Sequence, residues 1–178
     1  MFSETLRLVA HLPQRRPVPS LPGRLEQLFR HLAVGDCSVQ ELEDEIWHVW
    51  MQHPHRAASR ALDRAADDIA GQRFDLAETR LHFLLRACPD FPEAWNKSAT
   101  LYYLMERDQE SVQAIHRTLE LEPRHFGALS ALGEICLGQG DRDAALLAFS
   151  AALRINPHLD GARASVERLL EDGTGSVH

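Results

Sequence analysis

The residues best suited to chemistry in this chain are its histidines, ten in number, and their spacing argues against a catalytic or metal role. His48, His53 and His55 form the densest group. On a helix His48 and His53, five apart, point about 140° away from each other, and His55 lies beyond Pro54. They read as surface and helix-end histidines, since a metal site needs convergent ligands. Glu41, Glu43, Asp44 and Glu45 form an acidic run without the spacing of a calcium loop. Early carboxylates of that kind suit a helix N-terminus. Cys37, Cys88 and Cys136 show no C-x-x-C spacing and cannot all pair internally, which points to a reducing compartment. Neither a glycine-rich phosphate loop, nor G-x-S-x-G, nor H-E-x-x-H occurs. The chain is read as non-enzymatic, with no cofactor and no metal.

Net charge is −7 and the hydrophobic share is 44%, enough for a core at this length. Residues 1–24 carry +3, from Arg7, Arg15, Arg16 and Arg24 against Glu4, so the remainder carries −10. An acidic body argues against nucleic acid, which needs a basic stripe, and suits basic or apolar protein segments. No apolar run of about 18 residues exists, so no membrane span is expected. The N-terminus has no long apolar stretch of the secretory type. The expectation is a cytoplasmic protein. The alternative is an exported or organellar one, if a leader was removed or if residues 1–20 act as a targeting peptide.

Pro89, Pro123 and Pro157 are 34 residues apart, and each closes a helix-like block. The block 126–159 carries Leu129, Leu132, Gly133 and Cys136, then Ala145, Phe149 and Ala152, then Asn156-Pro157. At the same offsets the block 92–125 carries Trp95, Ser98, Ala99 and Tyr102, then Ser111, Ile115 and Thr118, then Glu122-Pro123. The block 58–91 carries Ala61, Arg64, Ala65 and Asp68, then Ala77, Leu81 and Leu84, then Cys88-Pro89. This pattern resembles the tetratricopeptide repeat, a helix–turn–helix unit of that length. The last block matches nearly throughout, with Cys136 where Tyr is usual. The first departs most, at Arg64 and Asp68.

The residues support the same reading independently. Gly133 and Ala99 permit close helix approach, and Ala145 and Ala152 flank Phe149 at i−4 and i+3. Gly71, Gly138 and Gly140 fall where each first helix must stop. Asp108 and Asp141 are placed to cap the helices that follow. Cys88 and Cys136 fall at offsets facing neighbouring helices and read as small buried hydrophobes.

Outside the repeats, residues 1–22 read as a flexible arm, because Pro13, Pro17, Pro19 and Pro22 exclude a continuous helix. Leu6–Ala10 before them could form a short helical turn. Leu25, Leu28, Phe29 and Leu32 then recur at helical spacing up to Gly35. Ser38–Glu41 is a capping-box signature, opening a helix with Leu42, Ile46, Val49, Trp50 and His53 on one face and Trp47 beside it. Pro54 precedes Pro89 by 35 residues, so 23–54 is read as a degenerate hairpin capping the N-terminal end. Its Trp47 and Trp50 are expected to pack against the first repeat. Gly161–Glu171, with Ala162, Val166, Leu169 and Leu170, is read as a capping helix at the other end of a domain spanning 55–171. Residues 172–178 are expected to be disordered.

The resemblance implies an all-α, right-handed α-solenoid of stacked antiparallel helical hairpins, whose first helices line a concave groove. By the family's offsets the inward residues are Ser59, Leu62, Ala66 and Ile69 in the first repeat. They are Glu93, Asn96, Lys97, Thr100 and Tyr103 in the second, and Ser130, Glu134 and Leu137 in the third. One subclass grips chaperone C-termini with Lys and Asn residues. Here the matching positions are Leu62, Ala66, Lys97, Gly127 and Ala131, mostly apolar or small, which disfavours that ligand. The implied function is a non-catalytic adaptor or scaffold holding another protein or peptide. Two alternatives stand beside it. One is a secretion-type chaperone, since small acidic three-repeat proteins with a helical extension serve bacterial type III export. The other is a self-assembling, homo-oligomeric scaffold.

Overall fold

Gly133 and Phe149 show how a repeat closes. A Cβ on Gly133 would lie 2.6 Å from the Phe149 ring, so only glycine lets the two helices meet there. The computed structural model describes residues 2–35 and 38–174, with side chains through Glu171. Among these residues there are ten α-helices and no strand. Three precede the repeats: α1 (Phe2–His11), α2 (Arg24–Val34) and α3 (Val39–Trp50). The repeats pair α4 (Arg56–Ala70) with α5 (Phe74–Ala87), α6 (Pro92–Leu104) with α7 (Asp108–Leu121), and α8 (Phe126–Gly138) with α9 (Arg142–Ile155). The tenth, α10 (Asp160–Thr174), packs on α9 and adds Ala162 and Leu169 to the core. The result is an α-solenoid, closed at its C-terminal end by α10.

The three hairpins turn in one way. The N–H groups of Arg73, Arg107 and Asp141 donate to the carbonyls of Asp68, Tyr102 and Cys136, five residues back, at 2.8–2.9 Å. This Schellman closure needs a left-handed residue just before the donor. Gly140 supplies it in the third repeat (φ 76°), but the first two repeats use Gln72 (φ 57°) and Glu106 (φ 58°). Gly71, expected to take that role, has φ −82°. Caps divide similarly. Asp141 accepts from the Ala144 N–H and Ser38 from the Glu41 N–H. Asp108 is instead the first residue of α7, and its carboxylate accepts from the Gln139 amide at 3.1 Å. Cys88 and Cys136 are buried free thiols; Cys37 lies outside the described residues, as do 175–178 of the tail, whereas 172–174, expected to be disordered, continue the backbone of α10.

The N-terminal segments depart furthest from expectation. The arm is ordered: α1 lies across α7 and α9, and Leu8, Val9 and Leu12 join the main core. A short 3-10 turn (Leu12–Gln14) ends it, and the chain is pinned again where the Val18 N–H donates to the Leu121 carbonyl at 2.8 Å. The α2–α3 hairpin does not stack on the first repeat through its tryptophans. Trp50 instead stacks on His125 (ring centroids 4.0 Å, planes 10° apart), with Phe126 at 5.2 Å, and Trp47 meets the same two rings edge-on. The physical reason is partner chemistry. The third repeat presents two rings and a glycine to flat indoles, whereas the outer face of α4 presents Ala57, Ala61 and Arg64.

Candidate functional site

The third repeat begins with His125-Phe126-Gly127, and this triplet receives α3. His125 precedes α8 and caps it, its Nδ1 accepting from the Ala128 N–H at 3.1 Å. That bond fixes the remaining proton on Nε2, which donates to Glu93 Oε2 at 2.8 Å. Gly127 has no side chain, and the Trp47 indole occupies that space: a Cβ there would lie 2.5 Å from it. Lys97 Nζ sits 5.6 Å from the Trp47 ring and 3.1 Å from Glu93 Oε1. Further along, Asn156 donates to Glu43 at 2.6 Å, and His158 Nε2 donates to the Leu32 carbonyl at 3.2 Å. Arg124 bridges Glu26 and Glu122 at 2.8 and 2.9 Å. The hairpin therefore lies over the N-terminal ends of α6 and α8, at the lip of the concave groove.

Glu93 is the electrostatic centre of this contact. Its side chain is wholly buried, and a buried carboxylate must be paired. Burial pushes its carboxyl up, but the hydrogen bond from His125 and the Lys97 ammonium outweigh it and hold the carboxyl below its ordinary value of 4.5. Asn96 adds a donor at 3.3 Å. Both carboxylate oxygens are engaged, which ties α6 to the start of α8. Among the described residues, no three His, Cys, Asp or Glu side chains gather to hold a metal, and no helix is long and apolar enough to cross a membrane.

The residues expected to face a partner divide into three sets. Ser59, Leu62, Ile69, Glu93 and Asn96 are buried. Ser59 is engaged with the His53 backbone, its hydroxyl accepting from that N–H at 2.8 Å. Ala66, Lys97, Ser130 and Leu137 are half-buried, with Lys97 held between Glu93 and Trp47. Thr100, Tyr103 and Glu134 are exposed, and Leu104 beside Tyr103 is exposed to the same extent, 48%. The open set lies towards the C-terminal halves of α6 and α8. Reading by offsets missed Trp47 and His125, and marked Gly127 only as a small residue at an inward position. The one sequence signal for them is a glycine at an inward position that usually bears a side chain, in a chain with a tryptophan pair on a separate hairpin.

Comparison with known proteins agrees with this architecture. No family model matches the chain. A tetratricopeptide repeat-containing protein of Rhizobium etli is 30% identical over 165 residues, spanning 92% of this chain and 81% of that protein. In fold alone, the chain is similar to the tetratricopeptide repeat domain of Sgt2 from Aspergillus fumigatus. That match has a TM-score of 0.62 at 15% identity and covers 70% of this chain and 86% of that one. The 34-residue period, the three hairpins and the Rhizobium relative meet in one conclusion: the chain belongs to the tetratricopeptide repeat family.

Proposed function

We propose that the protein is a non-catalytic adaptor that holds a segment of another protein across the open, C-terminal half of its concave groove. Tetratricopeptide repeats are in general protein-interaction modules, and the adaptor role and the position of the site are the further step. The observation that carries it is the pairing of Tyr103 and Leu104, each 48% exposed at the end of α6, with Thr100 and Glu134 exposed nearby along the groove. A large apolar pair rimmed by polar groups is the usual make-up of an interaction patch. Glu93, Asn96 and Lys97 support the site from beneath, by fixing α6 against α3 and α8.

A photo-crosslinking residue at Thr100 tests this in the native host. The expected result is one defined adduct, mapped to a single partner segment and lost in Tyr103→Ala. An adduct that persists undiminished in Tyr103→Ala and Leu104→Ser would refute the groove assignment.

A further inference from the structure

The helix α1 shows what the convex side of this solenoid accepts. Its buried residues Thr5, Leu8 and Val9, with Leu12 just beyond, follow i, i+3, i+4 and i+7, and it lies across α7 and α9. Thr5 Oγ1 is 3.2 Å from His116 Nδ1. Leu8, Val9 and Leu12 share a core with Val112 and Leu119 of α7 and Leu129 and Cys136 of α8.

One repeat earlier, the counterparts of Val112, His116, Leu119, Leu129 and Cys136 are Glu78, His82, Leu85, Trp95 and Tyr102. These five line an open valley of about 710 Å³. The two sets differ in cover. Val112, Leu119, Leu129 and Cys136 are all but inaccessible, whereas Leu85, Trp95 and Tyr102 are only half-buried and His82 is exposed. The bed that α1 fills is repeated, and its second copy stands uncovered.

The rim of the second copy has its own chemistry. Arg86 stands one repeat before Glu120. Glu120 is paired with Arg117 and lies 3.7 Å from His116. Arg86 is exposed and makes no ion pair among the described residues. The Arg107 and Arg117 guanidiniums lie 4.5 and 5.8 Å from the Tyr102 and Trp95 rings, but Arg107 is paired with Glu78 and Glu110 and Arg117 with Glu120, so of the three arginines Arg86 alone lacks an ion pair among the described residues.

We propose that this valley is a second docking site, for an amphipathic helix of a partner protein with an aliphatic stripe in the register of α1 and a carboxylate flank towards Arg86. The seated α1 is the template for the stripe, and the uncompensated Arg86 sets the charge. The chain's own α1 is already committed to the neighbouring bed. This site is separate from the concave groove and stands or falls independently of it.

The test uses the full-length protein and a fluorescein-labelled peptide copying residues 2–14 with Arg7→Glu, which keeps the stripe and adds the carboxylate. Fluorescence anisotropy is expected to show saturable one-to-one binding. It should weaken by about tenfold or more in Arg86→Glu and in His82→Trp. Both residues are exposed, and retained helical circular dichroism confirms that the variants fold. Tyr103→Ala should leave it unchanged. No saturation up to about 1 mM peptide overturns the proposal, as does binding that neither valley variant alters. Binding abolished by Tyr103→Ala also overturns it, and assigns the peptide to the groove.

Discussion

Trp47 and Gly127 fit one another across 80 residues of sequence: the indole fills the space that a Cβ on Gly127 would need, at 2.5 Å. Gly127→Val should lift α3 from the lip of the groove while leaving the three repeats folded. Limited proteolysis should then cut between α3 and α4, and tryptophan emission should shift to the red. A variant as protease-resistant as the parent would mean that this fit does not hold the hairpin down.

Trp50 carries the opposite lesson. It is almost wholly buried against His125, yet its indole N–H finds no partner among the described residues. An orphan donor costs about 1–3 kcal/mol, so removing it offsets part of the lost volume. Trp50→Phe is expected to cost less than about 1.5 kcal/mol and Trp50→Ala about 3–5 kcal/mol. Urea denaturation of the two variants checks the ordering, and equal losses would contradict it.

Glu93 makes stability depend on acid. Its folded carboxyl lies below 4.5, so the folded state binds fewer protons than the unfolded state in the window between the two values. The stabilisation is complete above about pH 4.5 and is lost as the pH falls through the lower folded value. Glu93→Gln keeps the shape and removes this term. Its unfolding midpoint should therefore fall less steeply than the parent's below pH 4.5. Parallel acid limbs would rule out Glu93 as a contributor.

The left-handed turns predict a gain. Gln72 and Glu106 hold the conformation that Gly140 supplies in the third repeat, and a side chain in that region carries strain that glycine does not. Gln72→Gly and Glu106→Gly should each stabilise by about 0.5–1 kcal/mol, read as a raised thermal midpoint. A drop in the midpoint for both would show that the side chains contribute more than the backbone strain costs.

Cys136 should be chemically silent. Burial, with Asp141 adding to it, pushes its thiol up to about 11, and it is the thiolate that reacts. Iodoacetamide at pH 8 with peptide mapping should leave Cys136 unmodified in the folded protein and label it in urea. Rapid labelling without denaturant would show that the α8–α9 core opens.

The repeats were legible because their signals are local. Pro89, Pro123 and Pro157 stand two residues beyond the ends of α5, α7 and α9, where the chain must leave the helix. Ser38 and Asp141 cap the helices their positions indicated. Periodicity also marked the apolar stripes of α2 and α3. A stripe states which face must be covered, not what covers it, and so the destination of the hairpin was not readable. The stripe of α1 was obscured by the four prolines after it. The groove offsets marked Thr100, Tyr103 and Glu134, which are open, along with Glu93 and Asn96, which are buried. No offset carries the information that a tryptophan from a separate hairpin closes over them.

The bonds from the N-terminal segments reach far along the chain: Thr5 to His116, Glu43 to Asn156 and Leu32 to His158. A stack of hairpins ordinarily matures from neighbour to neighbour, and contacts of low sequence separation form quickly. During vectorial synthesis the segment before the repeats emerges from the ribosome before the surface it will lie on has been translated. Its aromatic and aliphatic stripes must wait until residue 158 is free, so these helices are made before the repeats and find their place after them.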